Sequence, residues 1–155
     1  ELKSLYGPPE AATLPDAFAA FQRIGEQIQI PLAQGENLHT LLEFQAALQT
    51  NVLRFPQPDV GAIGGITPWL QVAQLCANQD LMVSSHGMHE LHVSLLAGVP
   101  NPGYLEVHSF PIDQYAIQPF RFSNGLARPP EGIGHGVEFD WDKLQEYAVS
   151  TVCID

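Results

Sequence analysis

Short apolar runs alternate with helix-start signals along this chain, and that rhythm limits its possible folds more than any other feature. "IQIPLAQ" (28–34) precedes Thr40 and Glu43, spaced as a capping box, and then "LLEFQAAL", whose apolar residues recur at helical spacing. "VLRFPQ" (52–57) leads through "GAIGG" to a second helix, with Thr67 predicted at the N-cap and Pro68 at the first helical position. "DLMVSS" (80–85) leads to "MHELHVSLLAG", which Gly98 and Pro100 should stop, and "YLEVH" (104–108) is a fourth run. A helix over 16–27 comes before these, with a strand remnant in "LKSLYG" ahead of it.

Alternation at this spacing predicts parallel βα units and an α/β fold. The expected strands are 30–34, 52–57, 81–85 and 104–107, adjacent in chain order, with helices over 40–50, 67–78 and 88–98 packed outside. After residue 110 the rhythm changes. Asn124-Gly125 between short alternating stretches signals a hairpin, and Asp140 caps a last short helix, "WDKLQEY". The chain therefore divides into a partial barrel over 1–112 and a C-terminal extension over 113–155.

The polar residue following each strand is the next clue. Glu36, Asp59, His86 and Glu106 are separated by 23, 27 and 20 residues, about one βα unit each. In a (β/α)8 barrel such residues face one rim, where the active sites of that fold lie. In a doubly wound open sheet they would spread along a crevice, so the barrel is preferred.

Composition excludes some functions. Among 155 residues there are 6 Lys plus Arg against 17 acidic residues, a net charge of −11 that repels nucleic acid and anionic membrane. No apolar run has the length of a membrane span, and no signal-peptide pattern opens the sequence. Cys76 and Cys153 form no disulfide framework, and Cys76 falls in a helical pattern as a small buried hydrophobe. A reducing cytoplasm fits best.

"SSHGMHELHVS" (84–94) holds three histidines and a glutamate, but neither HExxH nor HxxEH. His89, Glu90 and His92 are expected on the helix as surface or packing residues. His86, at the strand end, is the informative one. A zinc hydrolase built on the His86–His92 cluster remains the weakest of three functional alternatives.

"IPLAQGEN", "QPDVGAIGGITPWLQVA", "VSSHGMHELHVSLLAGVPN" and "YLEV", in that order and spacing, resemble the C-terminal half of the enolase superfamily. The subgroup is the mandelate racemase-like one, which includes acid-sugar dehydratases, and the resemblance covers roughly residues 10 to 140. It implies the C-terminal half of a TIM-type barrel with Mg²⁺ on its rim. It also implies abstraction of the proton α to a carboxylate, by way of an enediolate. On this resemblance Glu36 is a carboxylate ligand to Mg²⁺, a hard cation that prefers oxygen. His86 is the general acid/base and Asp59 its partner, orienting the imidazole and favouring its charged form. Glu106, in protonated form, hydrogen-bonds the substrate carboxylate.

There are departures. Glu10 stands 26 residues before Glu36, where a second metal ligand is expected, but the usual Glu-Glu-Pro is Glu10-Ala11-Ala12 here. A basic residue common at Ala62 is absent. The family's first metal ligand, second-strand lysine and capping domain have no counterpart upstream. The leading expectation is therefore an acid-sugar dehydratase or racemase of lyase/isomerase type, seen as a partial chain that is inactive alone. It would act on a sugar acid or 2-hydroxy acid. The missing half or capping domain, against which the hairpin should pack, and a homo-oligomeric state are its expected partners. The alternative is a non-catalytic half-barrel remnant or assembly module.

Overall fold

The structure, a computed structural model, describes residues 14–108 and 111–150. Glu10, Cys153 and the "LKSLYG" segment lie outside the described residues. Helix α1 spans Leu14–Gln27, β1 Leu32–Gln34, α2 Leu41–Gln49, β2 Leu53–Pro56, α3 Ile66–Ala77 and α4 His89–Ala97. A 3-10 helix at Pro111–Tyr115 follows, then the hairpin β3 (Arg121–Ser123) and β4 (Leu126–Arg128), and α5 at Trp141–Gln145.

β1 and β2 pair in parallel, Leu32 opposite Leu53 and Gln34 opposite Pro56. The next two segments extend this pairing in chain order, but each is reduced to a single parallel bridge between Val83 and Pro102. The expected strands over 81–85 and 104–107 are thus not regular, and Pro58 and a one-residue slip in register account for the breaks. The Ser84 N–H donates to the Pro56 carbonyl at 2.8 Å. In a parallel ladder the return bond to Ser84 would come from residue 58, which is a proline without an N–H. On the other side the Val83 N–H donates to Asn101 O and Gly103 N–H to Val83 O, but the Ser85 N–H reaches Tyr104 O. A regular ladder would continue at residue 103, so the register slips by one there. Serine hydroxyls take over beyond the slip. Ser84 Oγ accepts from the Tyr104 N–H at 3.0 Å, and Ser85 Oγ from the Glu106 N–H at 3.1 Å.

Helix α2 begins as expected. Thr40 accepts from the Glu43 N–H, and the Glu43 carboxylate accepts from the Thr40 N–H at 2.8 Å, closing the capping box. Helix α3 begins earlier than expected. Its N-cap is Gly65, at φ 117, which makes Ile66 the first helical residue and moves Thr67 and Pro68 two positions inward, to the second and third helical positions. Pro68 is still harmless, because N–H groups in the first turn have no intrahelical partner.

The core lies where α2, α3 and α4 face the sheet segments. Phe44, Ala47 and Leu48 from α2 meet Trp69, Val72, Ala73 and Cys76 from α3, over Leu53 and Val83. Helix α1 adds Phe18 and Phe21. Burial pushes the Cys76 thiol up to about 12, so the group is an inert apolar filler rather than a nucleophile. The buried face of α4 follows the same helical spacing, but two of its four members are His89 and His92, with Val93 and Leu96.

The expected hairpin forms. β3 and β4 pair antiparallel, Ser123 opposite Leu126, around Asn124 and Gly125 at φ 52 and 74, the two positive values a tight primed turn requires. Asp140 caps α5 by accepting from the Lys143 N–H. No helix among the described residues is long and apolar enough to cross a membrane.

Candidate active site

Each parallel segment ends in a short loop, and these loops bring the four singled-out residues together around one imidazole. His86 Nδ1 faces Asp59 Oδ2 at 3.1 Å. Its Nε2 lies 2.7 Å from Glu36 Oε2 and 3.8 Å from Glu106 Oε2. The His86 ring is partly exposed, at 30 % of its side chain, against 16 % for Asp59.

Asp59 is held from both sides. Its Oδ1 accepts from the Gly61 N–H at 2.7 Å and the Ala62 N–H at 3.1 Å, leaving Oδ2 for His86. Burial pushes its carboxyl upward, but the His86 bond, the two backbone N–H groups and the nearby His92 outweigh that and hold it below the ordinary carboxylate value.

Gly87 is the hub of the site. It sits at φ +66, and a Cβ there would lie 2.6 Å from Asp59 Oδ2. Only glycine permits both that backbone and that approach. The Gly87 N–H donates to Glu106 Oε2 at 2.9 Å, which fixes the carboxylate beside the imidazole.

A cleft of about 320 Å³ opens at this point, lined by Asp59, His86, Gly87, His89, His108 and Ile112 among others. Glu36 and Glu106 meet His86 at Nε2 rather than line that cleft. The histidines at 89 and 92 do not reach out as ligands. Both are buried, and both nitrogens of His92 are taken, Nδ1 facing Gly87 O at 2.7 Å and Nε2 accepting from the Val60 N–H at 3.1 Å. His89 Nδ1 accepts from the His108 N–H at 3.3 Å. His89 also lines the cleft, but among the described residues the group with metal-ligand spacing joins His86 to Glu106 and His108, not to His89 or His92.

His108 was not singled out from the sequence. Its Nε2 lies 3.8 Å from Glu106 Oε2, and its ring meets that of His86 edge-on at 5.6 Å. The signal was available, since residues two apart on an extended segment share a face, and Glu106 and His108 are two apart. Ligand atoms of His86, Glu106 and His108 lie within 4.8 Å of one another, a softer nitrogen-rich set than Mg²⁺ prefers.

Acid should weaken the fold at this site. Burial holds His92 below its ordinary value of 6.5, despite opposing bonds to Gly87 and Met88 and the charge of Asp59. A histidine depressed in the folded state binds fewer protons there than when unfolded, so its stabilisation is complete above that value and lost as pH falls below it. The urea midpoint should fall between pH 7 and 5, at up to about 1.4 kcal/mol per pH unit for one proton. His92→Phe, with no proton to bind, should show a shallower slope, and equal slopes would contradict the assignment. Asp59, also depressed, adds loss in the same direction at lower pH, below its ordinary 3.8.

Parallel segments whose ends converge on an Asp–His pair flanked by carboxylates define an α/β protein with its ionisable centre at the C-terminal ends of the sheet. The chain belongs to the enolase superfamily, in its mandelate racemase-like branch: the family described as enolase C-terminal domain-like matches residues 9–143. It is 39% identical over 140 residues to the 3,6-anhydro-alpha-L-galactonate cycloisomerase of Streptomyces coelicolor, covering 90% of this chain and 39% of that one. A racemase from Streptomyces coelicolor A3(2), solved with bound magnesium, superposes with a TM-score of 0.80 at 38% identity, covering 88% of this chain and 38% of the other. L-talarate dehydratase from Polaromonas sp. JS666, complexed with Mg and L-glucarate, gives a TM-score of 0.72 at 26% identity, covering 79% and 33%. The chain thus spans about two fifths or less of the length of these relatives.

Proposed function

We propose that this chain carries the acid/base side of an enzyme that removes the proton α to the carboxylate of a sugar acid. The observation behind this reading is the His86–Asp59 pair at 3.1 Å, with Glu36 and Glu106 at the opposite ring nitrogen. Asp59 would accept from Nδ1–H, and with the 2.7 Å contact to Glu36 released Nε2 would be the basic atom. Proton uptake at Nε2 creates an imidazolium that the Asp59 carboxylate stabilises in place. Glu106 is held by the Gly87 N–H through Oε2, which leaves Oε1 to meet the substrate.

Glu36 fits a magnesium ligand by chemistry and place. It is a half-exposed carboxylate on the loop after β1, with side-chain exposure of 51 %, and offers the hard oxygens Mg²⁺ prefers. Bound there, with Glu10 as a second ligand, Mg²⁺ would supply positive charge beside the substrate carboxylate. Were Glu36 turned to a cation instead of to His86, Nε2 would be free to meet substrate.

Loss of the α-proton makes the oxygen on C3 a leaving group. If that oxygen departs as hydroxide the outcome is dehydration, and if it departs as a ring ether the outcome is ring opening. Return of the proton on the other face is racemisation. Dehydration is the leading choice, and the likeness to a cycloisomerase supports ring opening as the second.

The parallel segments supply part of a (β/α)8 barrel. β1 and the 101–106 segment are its outer members here, and each would leave an unpaired edge unless another strand continues the sheet. We infer that the remaining strands come from further sequence or a second polypeptide, and that the hairpin packs on a capping domain. The test is magnesium dependence of the assembled enzyme. Chelation should abolish turnover of a sugar-acid panel and Mg²⁺ should restore it, while Glu36→Gln weakens Mg²⁺ binding by at least about tenfold. Unchanged Mg²⁺ affinity in that variant would contradict the assignment of Glu36.

A further inference from the structure

We propose that His92 is a positioning residue that clamps together the two loops carrying the Asp59–His86 pair. The inference rests on the acid/base reading of that pair and assigns its geometry to a residue that touches neither partner's side chain within hydrogen-bonding distance.

His92 occupies a core-facing position on α4, one turn before Leu96 and beside Val93, where an apolar side chain would be expected. It is completely buried. A buried imidazole is costly unless both nitrogens are satisfied, and here each is satisfied by backbone. Nδ1–H donates to Gly87 O at 2.7 Å, with Met88 O at 3.2 Å. Nε2 accepts from the Val60 N–H at 3.1 Å. The carbonyl partner fixes the proton on Nδ1 and the N–H partner requires a bare Nε2, so one neutral tautomer satisfies both.

The two backbone groups it holds are informative by their position. Gly87 follows His86, and Val60 follows Asp59. One rigid ring therefore bridges the two loops a single residue beyond each member of the pair. Trp69 supports the same loop from below, its ring 5.8 Å from that of His92 and its indole N–H donating to Pro58 O at 3.1 Å. Without the imidazole, the Val60 N–H and Gly87 carbonyl would have no partner in the interior, and the loops would part to regain one. A displacement of about 1 Å is enough to cost roughly a hundredfold in rate. Because His92 is buried, it makes no contact with substrate, and ground-state binding should be spared.

The test uses the assembled, Mg²⁺-loaded enzyme and α-proton exchange with deuterated solvent. His92→Phe fills the volume and removes both bonds. It should lower kcat for exchange by about a hundredfold, with KM within about threefold of wild type. His92→Asn can place an amide donor near the Nδ1 position and His92→Gln an acceptor near Nε2, so each should recover part of the loss. If the phenylalanine variant does not fold, this pair alone decides the matter: wild-type kcat in both overturns the clamp. Leu48→Ala, a core truncation in α2, controls for lost stability and should leave kcat unchanged once corrected for folded fraction. An equal kcat loss in Leu48→Ala and His92→Phe overturns the inference, since general loosening would then explain both. His86→Asn separates the two levels. If it is inactive while His92→Phe retains wild-type kcat, only the clamp fails, and if it keeps full exchange, the acid/base reading fails and takes the clamp with it.

Discussion

His86→Asn is expected to lose at least about a thousandfold in turnover, with the fold and Mg²⁺ affinity preserved. A positioned general acid or base contributes roughly 10² to 10⁴ to a rate, and the proposed reaction needs His86 to take the α-proton. Asparagine places an amide nitrogen near Nδ1, so the contact with Asp59 Oδ2 at 3.1 Å can persist while the basic Nε2 is gone. The variant thus separates chemistry from architecture. Asp59→Asn should do less, on the order of tenfold to a hundredfold, because it leaves the base in place. It removes the charge that stabilises the imidazolium, while its amide can still meet the ring. The ordering His86→Asn below Asp59→Asn below wild type is the expected result. Equal activity in all three would remove the pair from the mechanism.

Trp69→Ala is expected to cost about 3–5 kcal/mol, the largest effect of any single truncation in the core. Trp69 is fully buried and is the largest of the fully buried side chains. It also has a polar duty, since its indole N–H donates to the Pro58 carbonyl immediately before Asp59. Removing it opens a cavity under α3 and leaves that carbonyl with only the long 3.5 Å contact from the His86 N–H. For a domain of this size the loss corresponds to a fall in Tm of about 10 °C or more. Trp69→Phe should cost less, roughly 1–2 kcal/mol, since most of the apolar volume remains and the hydrogen bond goes. Thermal and urea unfolding measure both. A loss under about 1 kcal/mol for Trp69→Ala would show that the core relaxes around the gap and that Trp69 does not anchor the Asp59 loop.

Local signals in the sequence were legible where one short stretch contains the whole cause. Thr40 with Glu43, Asn124 with Gly125, and Asp140 before its helix each form as their spacing predicts. Helix α3 starts before Thr67 because a positive-φ glycine, Gly65, ends the loop and takes the N-cap position. The breaks in the third and fourth strands were not legible because they depend on cross-strand partners. Pro58 denies a bond to Ser84, and the slip at Gly103 passes the later bonds to serine hydroxyls. That Glu36, Asp59, His86 and Glu106 share one rim was legible from βα spacing, whereas the pairing of Asp59 with His86 followed only from the family resemblance. The work of His92 was not, because its acceptor contact joins residues 32 apart and its other contact is to a carbonyl. Helical periodicity could place it inward but not say what it holds.

The most direct test of the central claim is solvent exchange at the α-carbon. The assembled enzyme, loaded with Mg²⁺, is incubated in deuterated water with a panel of sugar acids, and deuterium at the carbon next to the carboxylate is followed by NMR alongside product. Wild type should incorporate deuterium at that carbon, or release product labelled there, for at least one acid, and His86→Asn should do neither. Product formed with no exchangeable α-position involved, or deuterium incorporated equally well by His86→Asn, would contradict the account.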